Sequence, residues 1–209
     1  DLPPKFVERT LEFLDYFDPQ MDEFNNLLSN NKIFIERTAD VGVLPAEVGI
    51  NFGVTGPSLR GSGVNFDLRK NEPYSIYDKL DFDVPLGKGT MGTIGDTWDR
   101  YYVRVLEMRE SAKIIRQACA QLPDGDVHEA IPKKIRPAVD EVYGRYESAR
   151  GDVGVYIISN EKNSPLRVKM RSPAFSNLAV LGESAEGWMI SDVIAILGSL
   201  DIVLGEIDR

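Results

Sequence analysis

Between Asp96 and Leu122, seven apolar residues (Trp98, Tyr101, Val105, Met108, Ala112, Ile115 and Cys119) recur at alternating intervals of three and four. That spacing predicts one long helix carrying all seven on a single face. Asp96 is suited to cap its N-terminus, where a negative charge also complements the helix dipole. The Pro-Asp-Gly-Asp run that starts at Pro123 ends it. Arg100, Arg104, Glu107, Lys113 and Gln117 lie elsewhere on its surface.

The other segments read more weakly. Phe6, Leu11, Leu14, Phe17, Met21, Phe24 and Leu28 are spaced as an amphipathic helix or two, with a break expected at Pro19. A short helix is expected over Lys32–Thr38. Residues 40–95 are rich in Gly and Pro yet carry Phe52, Phe66, Tyr74, Tyr77 and Phe82. Such a stretch is either a functional loop system or a segment packed onto a partner, and the aromatics, which a disordered linker does not hold, favour the second. Residues 124–140 read as a polar loop punctuated by proline. Glu141–Ser148, Gly154–Ser159 and Leu166–Arg171 have strand composition and form a small antiparallel sheet. Phe175–Leu181 reads as a short helix. Trp188–Leu200 is apolar nearly all round, which predicts a buried helix. The fold class is therefore α+β, mostly helical.

Composition narrows the function. The chain has 209 residues, enough for one sizeable domain or a large part of a bigger one. Its longest apolar run, Val193–Leu197, is far short of the roughly 20 residues of a membrane helix. The mixed charges and prolines of the first residues are not a signal peptide. A net charge of −9 argues against nucleic acid. The single cysteine excludes an internal disulfide framework or a multi-cysteine metal site and fits a reducing, cytoplasmic compartment.

Few residues stand out as chemistry. His128, the single histidine, sits in a polar loop and reads as solvated. Cys119 lies on an apolar helix face and reads as inert. The Gly-Lys-Gly-Thr-Met-Gly run at 87–92 lacks phosphate-loop spacing, and Gly53–Gly63 follows no strong strand, so its glycines read as turn formers. Arg60, Arg69 and Lys70 are placed either to meet an anionic group or to pair with local acids such as Asp67. Spacing alone singles out no acid and base pair.

A family resemblance runs along nearly the whole chain. Its blocks include Asn31-Lys-Ile-Phe to Arg37-Thr38, Thr55-Gly-Pro-Ser-Leu-Arg60-Gly-Ser-Gly63, Asp67-Leu-Arg-Lys70 and Glu72-Pro-Tyr74. They continue with Asp99-Arg-Tyr, Glu107-Met to Ser111, Arg150-Gly-Asp, Arg171-Ser-Pro and Gly205-Glu-Ile-Asp-Arg209. In these the chain resembles the hydrogenase-like, quinone-site D subunits of the proton-pumping NADH:quinone oxidoreductase, respiratory complex I. The resemblance implies that residues 1–209 are the C-terminal half of one domain like the large subunit of nickel–iron hydrogenases. Its parts would be helices over 1–38, the packing segment 40–95, the long helix 96–122, the sheet 141–171, and helices and tail over 174–209.

Membrane-bound hydrogenases of that lineage end in a pattern like Asp-Pro-Cys-x-x-Cys, whose thiolates bind the metal centre. The tail here reads Asp201-Ile-Val203-Leu-Gly-Glu206. Valine ligates no metal and glutamate is a hard oxygen donor, so hydrogenase chemistry is closed and no metal is expected. In the resembled family the vacated pocket becomes part of the quinone cavity. The resemblance implies apolar wall roles for Val203 and Leu204, and pocket-shaping roles for the buried or half-buried acids Asp201, Glu206 and Asp208. The plainer alternative is that these acids only make ion pairs, for instance with Arg209 or Arg150. It assigns this chain no residue that itself does chemistry and no bound cofactor. Quinone is the substrate, and NADH, FMN and the iron–sulfur clusters belong to partner subunits. The implied partners are the small iron–sulfur subunit carrying the terminal cluster, other peripheral-arm subunits and the membrane-arm quinone-channel subunit. The implied location is the cytoplasmic face of the inner (plasma) membrane, peripheral to it. A sister complex with another electron donor or carrier, or a non-redox assembly scaffold, would share most of these residues.

Overall fold

The computed structural model describes residues 2–125 and 132–208. His128 lies outside the described residues, as does Arg209. Helix α1 runs Phe6–Phe24 and passes into a π-helical turn at Asn25–Ser29. Pro19 does not break it, contrary to the expectation from sequence. A proline inside a helix costs roughly 3 kcal/mol in the lost hydrogen bond and ring clash. Packing on the long helix offsets that cost. Leu14 and Met21 are buried, and Asp15, Asp18 and Asp22 meet Arg116 and Arg109 across the contact at 2.6–2.9 Å.

Helix α2, Lys32–Thr38, begins where the Asn31 side chain accepts the Ile33 and Phe34 N–H groups. Short helices α3 (Ala46–Asn51), α4 (Pro57–Gly61) and α5 (Leu68–Asn71) follow. The segment 40–95 turns its apolar content mainly into this chain: Leu44, Val54, Leu59, Leu68, Leu80 and Phe82 are all buried. Of its five aromatics only Phe52 is exposed. This chain thus covers most of the stretch's apolar side chains itself, while Ile50, Phe52, Ile76, Met91 and Ile94 stay exposed. Leu44, Val54 and Leu59 form the central core with Val180 and Leu200, more than a hundred residues away.

The long helix, α6, spans Thr97–Ala120, with the Asp96 carboxylate accepting the Asp99 N–H at 2.7 Å. Its first turn is buried on every side, Asp99 and Arg100 included. Further along, the apolar stripe is unevenly covered. Val105 and Ala112 are buried, while Met108 and Ile115 are about 40% exposed.

Strands β1 (Glu141–Ser148), β2 (Gly151–Ile158) and β3 (Arg167–Arg171) make an antiparallel sheet in that order. Their pairing sets Val142, Ile157 and Val168 abreast, then Gly144, Val155 and Met170. One sheet face is therefore wholly apolar over those rows. Helices α7 (Pro173–Ala179), α8 (Leu181–Ala185) and α9 (Ile190–Leu200) follow. The prediction of a fully buried α9 is corrected. Asp192, Ile196, Ser199 and Leu200 face inward, whereas Ile190 and Ile194, on an outward stripe at helical spacing, are 89% and 75% exposed. Helix α10, Leu204–Ile207, ends the described chain against α7. Among the described residues no helix is long and apolar enough to cross a membrane.

Candidate functional site

A cavity of about 530 Å³ opens where α1, α6 and the β1–β2 turn meet. Phe13, Leu14, Phe17, Met108, Ala112 and Ile115 make one wall. The exposure of Met108 and Ile115 thus has a cause: they line a hollow. The opposite end is ionic, formed by Arg60, Arg69, Arg104, Glu107, Glu147 and Asp201.

Arg60 organises that end. Its side chain is 1% exposed and donates to Glu107 at 2.7 Å, to Glu147 at 2.8 Å and to the Phe66 carbonyl at 3.0 Å. Asp67 lies 3.5 Å away and takes two hydrogen bonds from the Arg69 guanidinium and a third from the Arg69 backbone N–H. Burial works against the Arg60 charge, but Glu107 and Glu147 outweigh it and raise its pKa. Burial likewise opposes the Asp67 carboxylate, yet Arg69 and Arg60 together hold it below the ordinary range. For Glu147 burial prevails over Arg60 and its pKa is raised. Of the two readings open for Arg60, Arg69 and Lys70, the acid-pairing one holds for both arginines, whereas Lys70 stands 4.0 Å over the Phe82 ring. Glu107 and Glu147, distant in sequence, are partners that local spacing does not reveal.

The chain can bring these groups together because Gly56, entering α4, has φ 71° and ψ −155°, a region open to glycine alone. A Cβ there would lie 2.4 Å from the Arg150 carbonyl oxygen, so α4 and the β1–β2 turn touch backbone to backbone.

Two further arginines, one turn apart on α6, reach the end of α9. Arg100 is fully buried and donates to Ser199 Oγ at 2.8 Å, to the Gly95 carbonyl and to Thr97 Oγ1 at 3.0 Å. Its acceptors are all neutral, and burial lowers its pKa to about 9. Arg104 donates to Ser58 Oγ at 3.1 Å and to the Arg100 carbonyl. Burial brings it down to about 10, although Asp201 and Glu107 pull the other way.

The five residues singled out in the tail are not all gathered here. Asp201 alone lines the cavity. It caps α9 in the left-handed conformation, φ 55° and ψ 56°, and is half-buried between Arg150 at 3.6 Å and Arg104 at 3.9 Å. Asp201 therefore has the ion pair with Arg150 that the plainer reading of this acid called for. Val203 precedes α10 and is half-buried. Glu206 is half-buried and accepts from Ser172 Oγ at 3.1 Å. Leu204 is 76% exposed. Asp208 is exposed, which corrects the burial expected for it, because α10 ends at Ile207 and Asp208 leads outward. Cys119 is partly buried near the end of α6, away from the cavity lining.

Residues 1–139 and 128–209 match the family described as respiratory-chain NADH dehydrogenase, 49 Kd subunit. The D subunit of NADH-quinone oxidoreductase from Chlorobaculum tepidum is 50% identical over the whole chain, which covers 53% of that protein. The protein of the same name from Desulforamulus reducens is also 50% identical, with 56% of it covered. The corresponding subunit numbered 2 in Anaeromyxobacter dehalogenans is 46% identical, with 55% covered. The chain thus spans about half the length of the curated relatives it matches.

Proposed function

The chain belongs to the family of the 49 kDa subunit of respiratory-chain NADH dehydrogenase, and from that membership we propose that it helps to form the quinone-reduction cavity of an NADH:quinone oxidoreductase. In this reading it is a peripheral-arm subunit on the cytoplasmic face of the inner (plasma) membrane. Its fold descends from the large subunit of nickel–iron hydrogenases, with Val203 and Glu206 where thiolates once stood. Its partners are the small iron–sulfur subunit with the terminal cluster, other peripheral-arm subunits and the membrane-arm quinone-channel subunit. NADH, FMN and the clusters sit in those partners. This chain binds none of them.

The observation that carries the proposal is the placement of the tail. Asp201 sits where an apolar wall meets a set of fixed charges, and Val203 and Leu204 follow it with apolar surface left uncovered by this chain. A quinone ring is flat and apolar with two carbonyl oxygens, so it suits a wall of this kind beside oriented polar groups. Its reduction takes up two electrons and two protons. The electrons arrive from a partner's cluster. In this reading the tail is one side of a pocket that a partner completes, with Val203 and Leu204 as wall and Asp201 and Glu206 as acids that shape its field. Quinone reduction in turn drives proton translocation in the membrane arm.

Val203→Met adds bulk to that wall. In the assembled complex it is expected to shift the titration of quinone-site inhibitors several-fold toward higher concentration. An unchanged titration overturns the assignment of the tail.

A further inference from the structure

Asp201 occupies an unusual mechanical position. It is a non-glycine residue in the left-handed region, a conformation that costs on the order of 1 kcal/mol and that the surroundings must hold. Nothing on α9 itself holds its carboxylate. The groups facing it come from elsewhere: Arg104 from α6 and Arg150 from the β1–β2 turn. The backbone before it is fixed from the same helix. Arg100 takes Ser199 Oγ, and Arg104 takes Ser58 Oγ, which donates to the Leu200 carbonyl at 3.5 Å.

The fit is incomplete at one point. Arg104 Nε and Arg150 Nε are both buried without a hydrogen-bond partner among the described residues. At 3.9 and 3.6 Å, the Asp201 carboxylate attracts both but fully hydrogen-bonds neither. Of the two, only Arg104 also lines the cavity.

We infer that Arg104 is a positioning residue for the quinone site: its guanidinium sets the direction in which the chain leaves α9, and so the placement of Val203 and Leu204, by acting on Asp201. The inference rests on the quinone-cavity reading. Ser58 carries part of the load, because its hydroxyl accepts from Arg104 and donates to the residue before Asp201. Lysine would keep the charge. It lacks the planar fork that serves Ser58, the Arg100 carbonyl and Asp201 together.

The test is a double-mutant cycle in the assembled complex built with the full-length protein, with rates normalised to assembled complex. Arg104→Gln is expected to raise KM for a short-chain ubiquinone analogue roughly tenfold, with a smaller fall in kcat, because the wall is displaced rather than the electron path cut. Asp201→Asn does the same, and the double variant is no worse than either alone. Arg104→Lys falls between wild type and Arg104→Gln. If Arg104→Gln prevents assembly, Arg104→Lys takes its place in the same cycle. Effects that multiply in the double variant, or a KM unchanged by substitution of Arg104, overturn the inference. The Val203→Met inhibitor titration separates the two levels. A shifted titration beside an inert Arg104 removes only the positioning role, whereas an unshifted titration removes the cavity reading beneath it.

Discussion

Arg60 meets three carboxylates from three parts of the chain, and its neighbour Asp67 shows how such burial couples to pH. The Asp67 carboxyl is held below its ordinary value of 3.8 by Arg69 and Arg60, against the opposing effect of burial. A carboxylate with a depressed folded-state pKa contributes stability that is present above the unfolded value and lost as pH falls through the folded one. Wild-type chain is therefore expected to lose melting temperature steeply below about pH 4 through this group. Asp67→Asn removes that part of the acid loss. It also lowers stability near neutrality by about 3 kcal/mol or more, because Arg69 and Arg60 lose a buried countercharge. Thermal melts of both chains from pH 3 to pH 7 check this, and parallel curves refute it. Glu147 acts in the opposite sense, since its raised pKa costs stability as pH rises through its titration. The Asp67 pairing was legible in sequence because Asp67 and Arg69 are neighbours. Glu147 was not, because no local spacing links residues 60 and 147.

At the scale of elements, α6 and the sheet were the most legible, and for a physical reason. The strict three-four alternation from Trp98 to Cys119 has few readings, and segments of aromatic and β-branched residues separated by Arg-Gly fold back on themselves. Boundaries that depend on tertiary packing were less so. Pro19 looks like a stop signal, yet α1 continues through it because Leu14 and Met21 are buried and its three aspartates are engaged by α6. That conflict predicts a gain on substitution. Pro19→Ala restores a backbone donor inside a helix already held by its contacts, and is expected to stabilise the chain by about 1–3 kcal/mol. Urea unfolding followed by circular dichroism measures it. A destabilised variant would mean that the ring itself fills a needed space. The first turn of α6 went unread for a different cause: Arg100 looks like a surface residue in sequence, and only the approach of Ser199 and Gly95 makes its burial tolerable.

Across the whole molecule, apolar surface is unevenly distributed. The sheet presents Val142, Val155, Ile157, Val168 and Met170 on one face, and Val142, Val168 and Met170 are 44–61% exposed. Ile190 and Ile194 are more exposed still. Such surface is more than scattered hydrophobic residues. The chain alone is expected to bind a hydrophobic dye such as anilinonaphthalene sulfonate while fully folded, and Val168→Lys with Ile194→Lys to lower that signal without lowering the melting temperature. Equal dye signals would show that these faces do not carry the exposure. None of this was visible in sequence, where Trp188–Leu200 reads as buried, because periodicity reports which residues share a face and not whether anything covers it. The Arg60 cluster has a consequence for how such a chain avoids error. Side chains alternate along β1, so a strand slipped by one residue would turn Glu147 outward and offer Arg60 a tyrosine or a serine. A guanidinium stripped of a buried acid costs about 3–5 kcal/mol. Arg60 thus acts as a proofreader of the hairpin, penalising misalignment in a sheet whose own exposed apolar face does little to forbid it.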